Sequence, residues 1–173
     1  MYASKDYRES GAGQLLSYIS RDPHELRDRS GERLSGEDVE EFIERSEQHE
    51  YEEHWVLSPD HGESLTDDEL SLATRKTMSD HIGDRPTATY CYAIHRDTEN
   101  PHVQVAVTGE KRDLWTDQQD LDAVRDRARE HTREREHQHE RARVEKRERE
   151  RERRRERDQE RNRDRNRSRG RER

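Results

Sequence analysis

Cysteine occurs once in the 173 residues, at Cys91. A single thiol excludes an internal disulfide and a zinc site built on cysteines. Apolar residues make up only 24% of the chain and aromatic residues 5%. No stretch approaches the ~20 apolar residues of a membrane span, and none has the form of a signal peptide, so a cytoplasmic protein without a membrane partner is expected. Lysine is also scarce, being confined to Lys5, Lys76, Lys111 and Lys146, and the other basic side chains are arginines.

What the chain has in quantity is charge, at 45% of residues, a proportion that in a uniform chain describes disorder or a fibre. The charge is divided unevenly. Residues 1–120 hold 28 Asp/Glu against 13 Lys/Arg, a net of −15, whereas residues 121–173 hold 15 against 22, a net of +7. Two segments are therefore expected: a folded domain over 1–120, and over 121–173 an extended Arg/Glu-rich helix with a disordered end. An acidic, lysine-poor surface fits a halophilic host, because concentrated salt shortens the Debye length to ~3 Å at 1 M and screens self-repulsion.

Within the first segment, Leu15, Leu16 and Ile19 share a helical stripe in 10–22 and leave Tyr18 on its flank. Val39, Phe42 and Ile43 mark a second amphipathic helix over 37–50, after the start signal Ser35-Gly36. His54–Ser58 reads as a short strand stopped by Pro59. A third helix over 67–82 opens with Thr66-Asp67-Asp68-Glu69, the Thr-x-x-Glu form of a capping box. Strands over 87–95 and 103–109, joined by a turn at 97–101, form a hairpin. In the second strand Val103, Val105 and Val107 take one face, while His102, Gln104, Ala106 and Thr108 take the other. Tyr90, Tyr92 and Cys91 are expected to be buried.

After residue 117 Leu121, Val124 and Ala128 provide one last helical stripe able to dock on the domain. Beyond it, pairs such as Glu145–Arg149 and Glu152–Arg155 at i, i+4 and i, i+3 can hold a solvated single helix, each contributing ~0.2–0.5 kcal/mol. No a/d heptad supports a coiled coil. The tail reads as a spacer or as a contact for DNA or a partner, its glutamates lowering the charge density available to phosphates.

Hairpin pairing can bring His95 beside His102 and Gln104, three convergent ligands on the polar face. Two imidazoles and an amide oxygen form a neutral set, so a bound divalent ion keeps its charge for polarising a phosphodiester. That set suits Mn2+ or Mg2+ better than structural zinc. Asp97 is assigned to orienting a ligand or the turn.

The run His95-Arg96-Asp97-Thr98-Glu99-Asn100-Pro101-His102-Val103-Gln104 resembles the three-histidine motif of MobA/VirD2-type relaxases, members of the HUH endonuclease superfamily. The resemblance extends from about residue 15 to 127, with Gln104 standing where the family usually has its third histidine. Leu15-Leu16-Ser17-Tyr18-Ile19-Ser20 looks like the family's nucleophile segment, which makes Tyr18 the candidate nucleophile. Trp55-Val56-Leu57-Ser58 resembles a strand whose serine contacts DNA, and Arg96, Lys111 and Arg112 are further candidate DNA contacts.

The resemblance implies an α+β fold, with a central antiparallel sheet and helices packed on one face in a split β-α-β variant, followed by the long charged helix. It also implies a relaxase that nicks one strand of a plasmid or mobile-element transfer origin, leaving a 5′-phosphotyrosyl bond. The partners would be single-stranded DNA at an origin and accessory DNA-transfer or replication proteins. Alternatives are a rolling-circle replication initiator, an inactive single-stranded DNA binder, or an interaction protein built on the long helix. Tyr2 and Tyr7 are the alternative nucleophiles, and Tyr18 is otherwise a helix tyrosine packed on the sheet.

Overall fold

The structure, a computed structural model, describes residues 1–8, 13–19, 25–49 and 51–170. Strands β1 (Tyr2–Arg8), β2 (Glu52–Ser58), β3 (Thr89–His95) and β4 (His102–Thr108) form one antiparallel sheet in the order β1-β2-β4-β3. The helices are α1 (Gly13–Ile19), α2 (Gly36–His49), α3 (Asp67–Ile82), the short α4 (Lys111–Leu114) and α5 (Gln118–Gly170). Because β4 pairs antiparallel with both β2 and β3, those two strands run parallel with β4 between them. Helix α3 joins them, which makes a split β-α-β unit. This α+β architecture, with its antiparallel sheet, packed helices and long charged C-terminal helix, is the one expected from the sequence.

The local chemistry explains where the elements begin. Thr66 Oγ1 accepts from the Glu69 amide and Glu69 Oε2 accepts from the Thr66 amide, so the expected capping box starts α3. Ser35 and Asp38 make the same reciprocal pair before α2. Of the helix expected over 10–22, the turns Gly13–Ile19 are seen, and the remainder lies outside the described residues.

The sheet buries both faces, to different extents. On one face Trp55, Leu57, Tyr90, Tyr92, Val103, Val105 and Val107 pack with Leu70, Met78 and Ile82 of α3 and Val124 of α5. On the other, Cys91, Ala93 and Ala106 meet Leu15, Leu16 and Ile19 of α1 and Phe42 of α2. Helices thus cover one face broadly and, beyond the expectation, part of the second. Burial pushes the Cys91 thiol pKa up and raises that of the Tyr90 hydroxyl to about 12.

The chain divides into two compact units, Met1–Glu136 and His137–Arg173. In the first, α5 is anchored by buried Val124 and Ala128, and by Arg127 and His131, which reach the Asp80 carbonyl and carboxylate at 2.9 Å each. In the second, helix continues past Asn162 to Gly170, and Arg149 donates to Glu145 at 2.5 Å. No helix among the described residues is long and apolar enough to cross a membrane.

Candidate functional site

Cross-strand register arranges the less covered sheet face in rows. Tyr2 pairs with Ser58, Leu57 with Val103 and His102 with His95. Tyr2, Ser58, His102 and His95 therefore occupy one row. The next row holds Ser4, Val56, Gln104 and Ala93, and the third Asp6, His54, Ala106 and Cys91. Helix α1 covers Ala93, Cys91 and Ala106 with its leucines and leaves the histidine side of the face accessible.

His95 and His102, opposite one another in the hairpin, stack with ring centroids 5.2 Å apart and planes 10° from parallel. The Gln104 amide nitrogen lies 3.3 Å from His102 Nε2, and its Oε1 lies 3.2 Å from His54 Nε2. His102 Nδ1 donates to the Asn100 carbonyl at 3.1 Å, which fixes the ring within the turn. His95 Nε2 donates to the Ile19 carbonyl at 2.6 Å and so ties the last turn of α1 to the hairpin. That tie sets the neighbouring Tyr18 over the site. Leu15, Leu16 and Ile19 are buried beneath it, whereas Tyr18 is 61% exposed and meets the His54 ring edge-on, centroids 5.6 Å apart.

The turn carrying these groups is held from outside. Arg96 donates from Nε to Asp67 at 2.5 Å and from its terminal nitrogen to the Leu65 carbonyl at 2.5 Å, so the start of α3 grips the β3–β4 connection. Gly62 packs so closely on the turn that a Cβ there would lie 2.8 Å from the Pro101 carbonyl oxygen.

The family model described as Relaxase: MobA/VirD2-like, nuclease domain, matches residues 18–139. The chain belongs to this family. No curated protein and no solved structure matches it significantly. Membership gives the relaxase domain a general function in nicking DNA, as an endonuclease or transesterase acting on single-stranded DNA, and relaxases typically use a divalent metal.

Among the described residues of this relaxase, no group of three or more His, Cys, Asp or Glu side chains converges as a metal cage. The reasons are local: an amide occupies position 104, and His95 directs Nε2 to the Ile19 carbonyl. The donor types suit a divalent ion, a neutral set of imidazole nitrogen and amide oxygen, although here the Gln104 amide nitrogen faces His102 Nε2 at 3.3 Å and its oxygen is turned to His54.

The remaining expected residues are placed as follows. Ser58, half-buried, sits one strand from His102 in the same row, and Asp97 Oδ1 lies 3.9 Å from His95 Nδ1. Arg96 has its charge engaged by Asp67. Lys111 and Arg112 follow the far end of β4, six residues from His102 and about 20 Å along the strand. There Arg112 pairs with Glu110 at 2.8 Å. The structure does not bring these two to the histidines. Tyr2 is 61% exposed on the edge strand in the His102 row, while the Tyr7 side chain lies outside the described residues.

One residue of the cluster escaped the sequence reading. His54, an isolated histidine in a strand, has no motif partner in its own segment. Its signal lies in the pairing of β2 with β4, which sets it opposite Ala106 and diagonal to Gln104, within reach of the amide.

Proposed function

We propose that this relaxase domain nicks one strand at a plasmid or mobile-element transfer origin by transesterification through Tyr18. The observation that carries the reading is the exposed Tyr18 hydroxyl-bearing ring standing on the His54–Gln104–His102 cluster. The Tyr18 oxygen gives up its proton and attacks the phosphorus, a new P–O bond forms as the bond to the 3′ oxygen breaks, and that oxygen takes up a proton, so the strand ends in a free 3′-hydroxyl and a 5′-phosphotyrosine. One phosphodiester replaces another, so the strand can be rejoined by the reverse attack.

His102 and Gln104 would hold a divalent cation, Mn2+ or Mg2+, with His95 joining them once its Nε2 releases the Ile19 carbonyl, and the bound ion would supply positive charge to a phosphodiester oxygen. Before the ion binds, His95 instead ties α1 to the hairpin through the Ile19 carbonyl. Asp97, 3.9 Å from His95 Nδ1, would orient that ring, and Ser58 would meet DNA beside His102. An acidic domain meets DNA most readily in the concentrated salt of a halophilic host, where long-range repulsion is screened.

The experiment is incubation of labelled single-stranded DNA with the protein and Mn2+ in high salt, followed by denaturing electrophoresis. A covalent protein–DNA band is expected from wild type and is expected to vanish in Tyr18→Phe and in His102→Ala. A band that persists in Tyr18→Phe moves the nucleophile to Tyr2 or Tyr7. A second reading, a relative that binds single-stranded DNA without cutting it, is favoured by the engagement of His95 Nε2 with Ile19. DNA retained by wild type with no covalent band would establish that reading instead.

A further inference from the structure

The Gln104 side chain lies between two imidazoles, and their hydrogen-bonding roles are coupled. His102 Nδ1 is 3.1 Å from the Asn100 carbonyl, which can only accept, so Nδ1 carries the proton and Nε2 bears a lone pair. The Gln104 amide nitrogen donates to that lone pair at 3.3 Å, and His54 Nε2 donates to Gln104 Oε1 at 3.2 Å. In this arrangement the amide oxygen, the atom of glutamine suited to a hard cation, is directed at His54 rather than at the His102 lone pair.

A half-turn of the terminal amide exchanges two ends of nearly equal size and leaves both contact distances in place. Oε1 would then stand beside His102 Nε2. Two lone pairs at that spacing cannot hydrogen-bond to each other, but they suit adjacent ligands of one ion with bonds of about 2.1 Å. The amide hydrogens would now face His54 Nε2, and that contact survives only if the nitrogen accepts. An imidazole can make this change by moving its proton from Nε2 to Nδ1 without altering its charge. Lysine or arginine at position 54 could only donate, and an ionised carboxylate could only accept.

We propose that His54 is a positioning residue that holds the Gln104 amide in its cation-binding orientation, changing from hydrogen-bond donor to acceptor as the amide turns. A flexible glutamine thereby gains a fixed direction beside His102. The same ring braces Tyr18 edge-on at 5.6 Å, so one residue orders both the ligand and the nucleophile. The inference rests on the reading of His102 and Gln104 as donors to a divalent cation.

Two measurements test it on the full chain. In 15N-labelled wild type, saturating Mg2+ is expected to move the His54 Nε2 resonance from the pyrrole-type to the pyridine-type region while perturbing His102. A His54 tautomer that stays unchanged as His102 responds, or no response at either ring, overturns the proposal. By calorimetry, His54→Phe, which keeps a ring against Tyr18 but has no nitrogen, is expected to weaken Mn2+ binding about 10-fold.

In a Gln104→His background, which has no amide to orient, the same substitution is expected to change binding less than about 3-fold. Equal losses in the two backgrounds overturn the proposal, because a general structural role would produce them. Mn2+ binding and the tautomer change without any covalent DNA band would support the role of His54 while removing the nicking reaction itself.

Discussion

Gln104 presents an amide where an imidazole would present a stronger nitrogen donor, and its neighbours on both sides are imidazoles. Gln104→His is expected to raise Mn2+ affinity several-fold, measured by calorimetry, since imidazole binds first-row divalent ions better than a neutral amide does. His81 offers a separate residue-level test. Buried against Trp55, with ring centroids 5.1 Å apart, it has its pKa lowered to about 4, chiefly by burial and secondarily by Arg85. Between pH 6.5 and about 4 the unfolded chain binds a proton that the folded chain refuses, so stability falls as pH drops through that window. The loss approaches about 3 kcal/mol at the acid end. Denaturation midpoints followed across this range are expected to show the slope in wild type and a smaller one in His81→Leu.

The elements differ in how openly the sequence announces them. Helix α3 and the β3–β4 hairpin were legible because a capping box, period-two valines and a Pro-containing turn each act within a few residues. Strand β1 was not. Its inward positions include Lys5, whose ammonium reaches Glu53 at 3.0 Å and the Thr116 carbonyl at 3.0 Å, so an ion pair fills a place where alternation calls for a hydrophobe. Burial raises the Glu53 pKa against the opposing pull of Lys5 and Trp55, and no local pattern foretells a buried carboxylate balanced from a strand 48 residues away. His54 was missed for the same reason, its meaning being cross-strand. The hairpin also depends on a close approach. Gly62→Ala is expected to destabilise the fold by about 1–3 kcal/mol in chemical denaturation, because the new Cβ meets backbone rather than a side chain that could move aside.

For the molecule as a whole, the charge is divided unevenly along the chain. Residues 1–120 carry a net of −15, and exposed acidic groups at that density repel one another in dilute buffer. The melting temperature is expected to rise from low to multimolar KCl. A melting temperature that does not change would remove the halophilic reading without touching the site. The alternation along β4 has a different kind of consequence. Val103, Val105 and Val107 answer to the core, while His102 and Gln104 answer to the open face. One strand thus answers two separate demands: changes at 102 and 104 reshape the polar face without touching the valines of the core, whereas Ala106, packed under α1, is tied to folding on the second face.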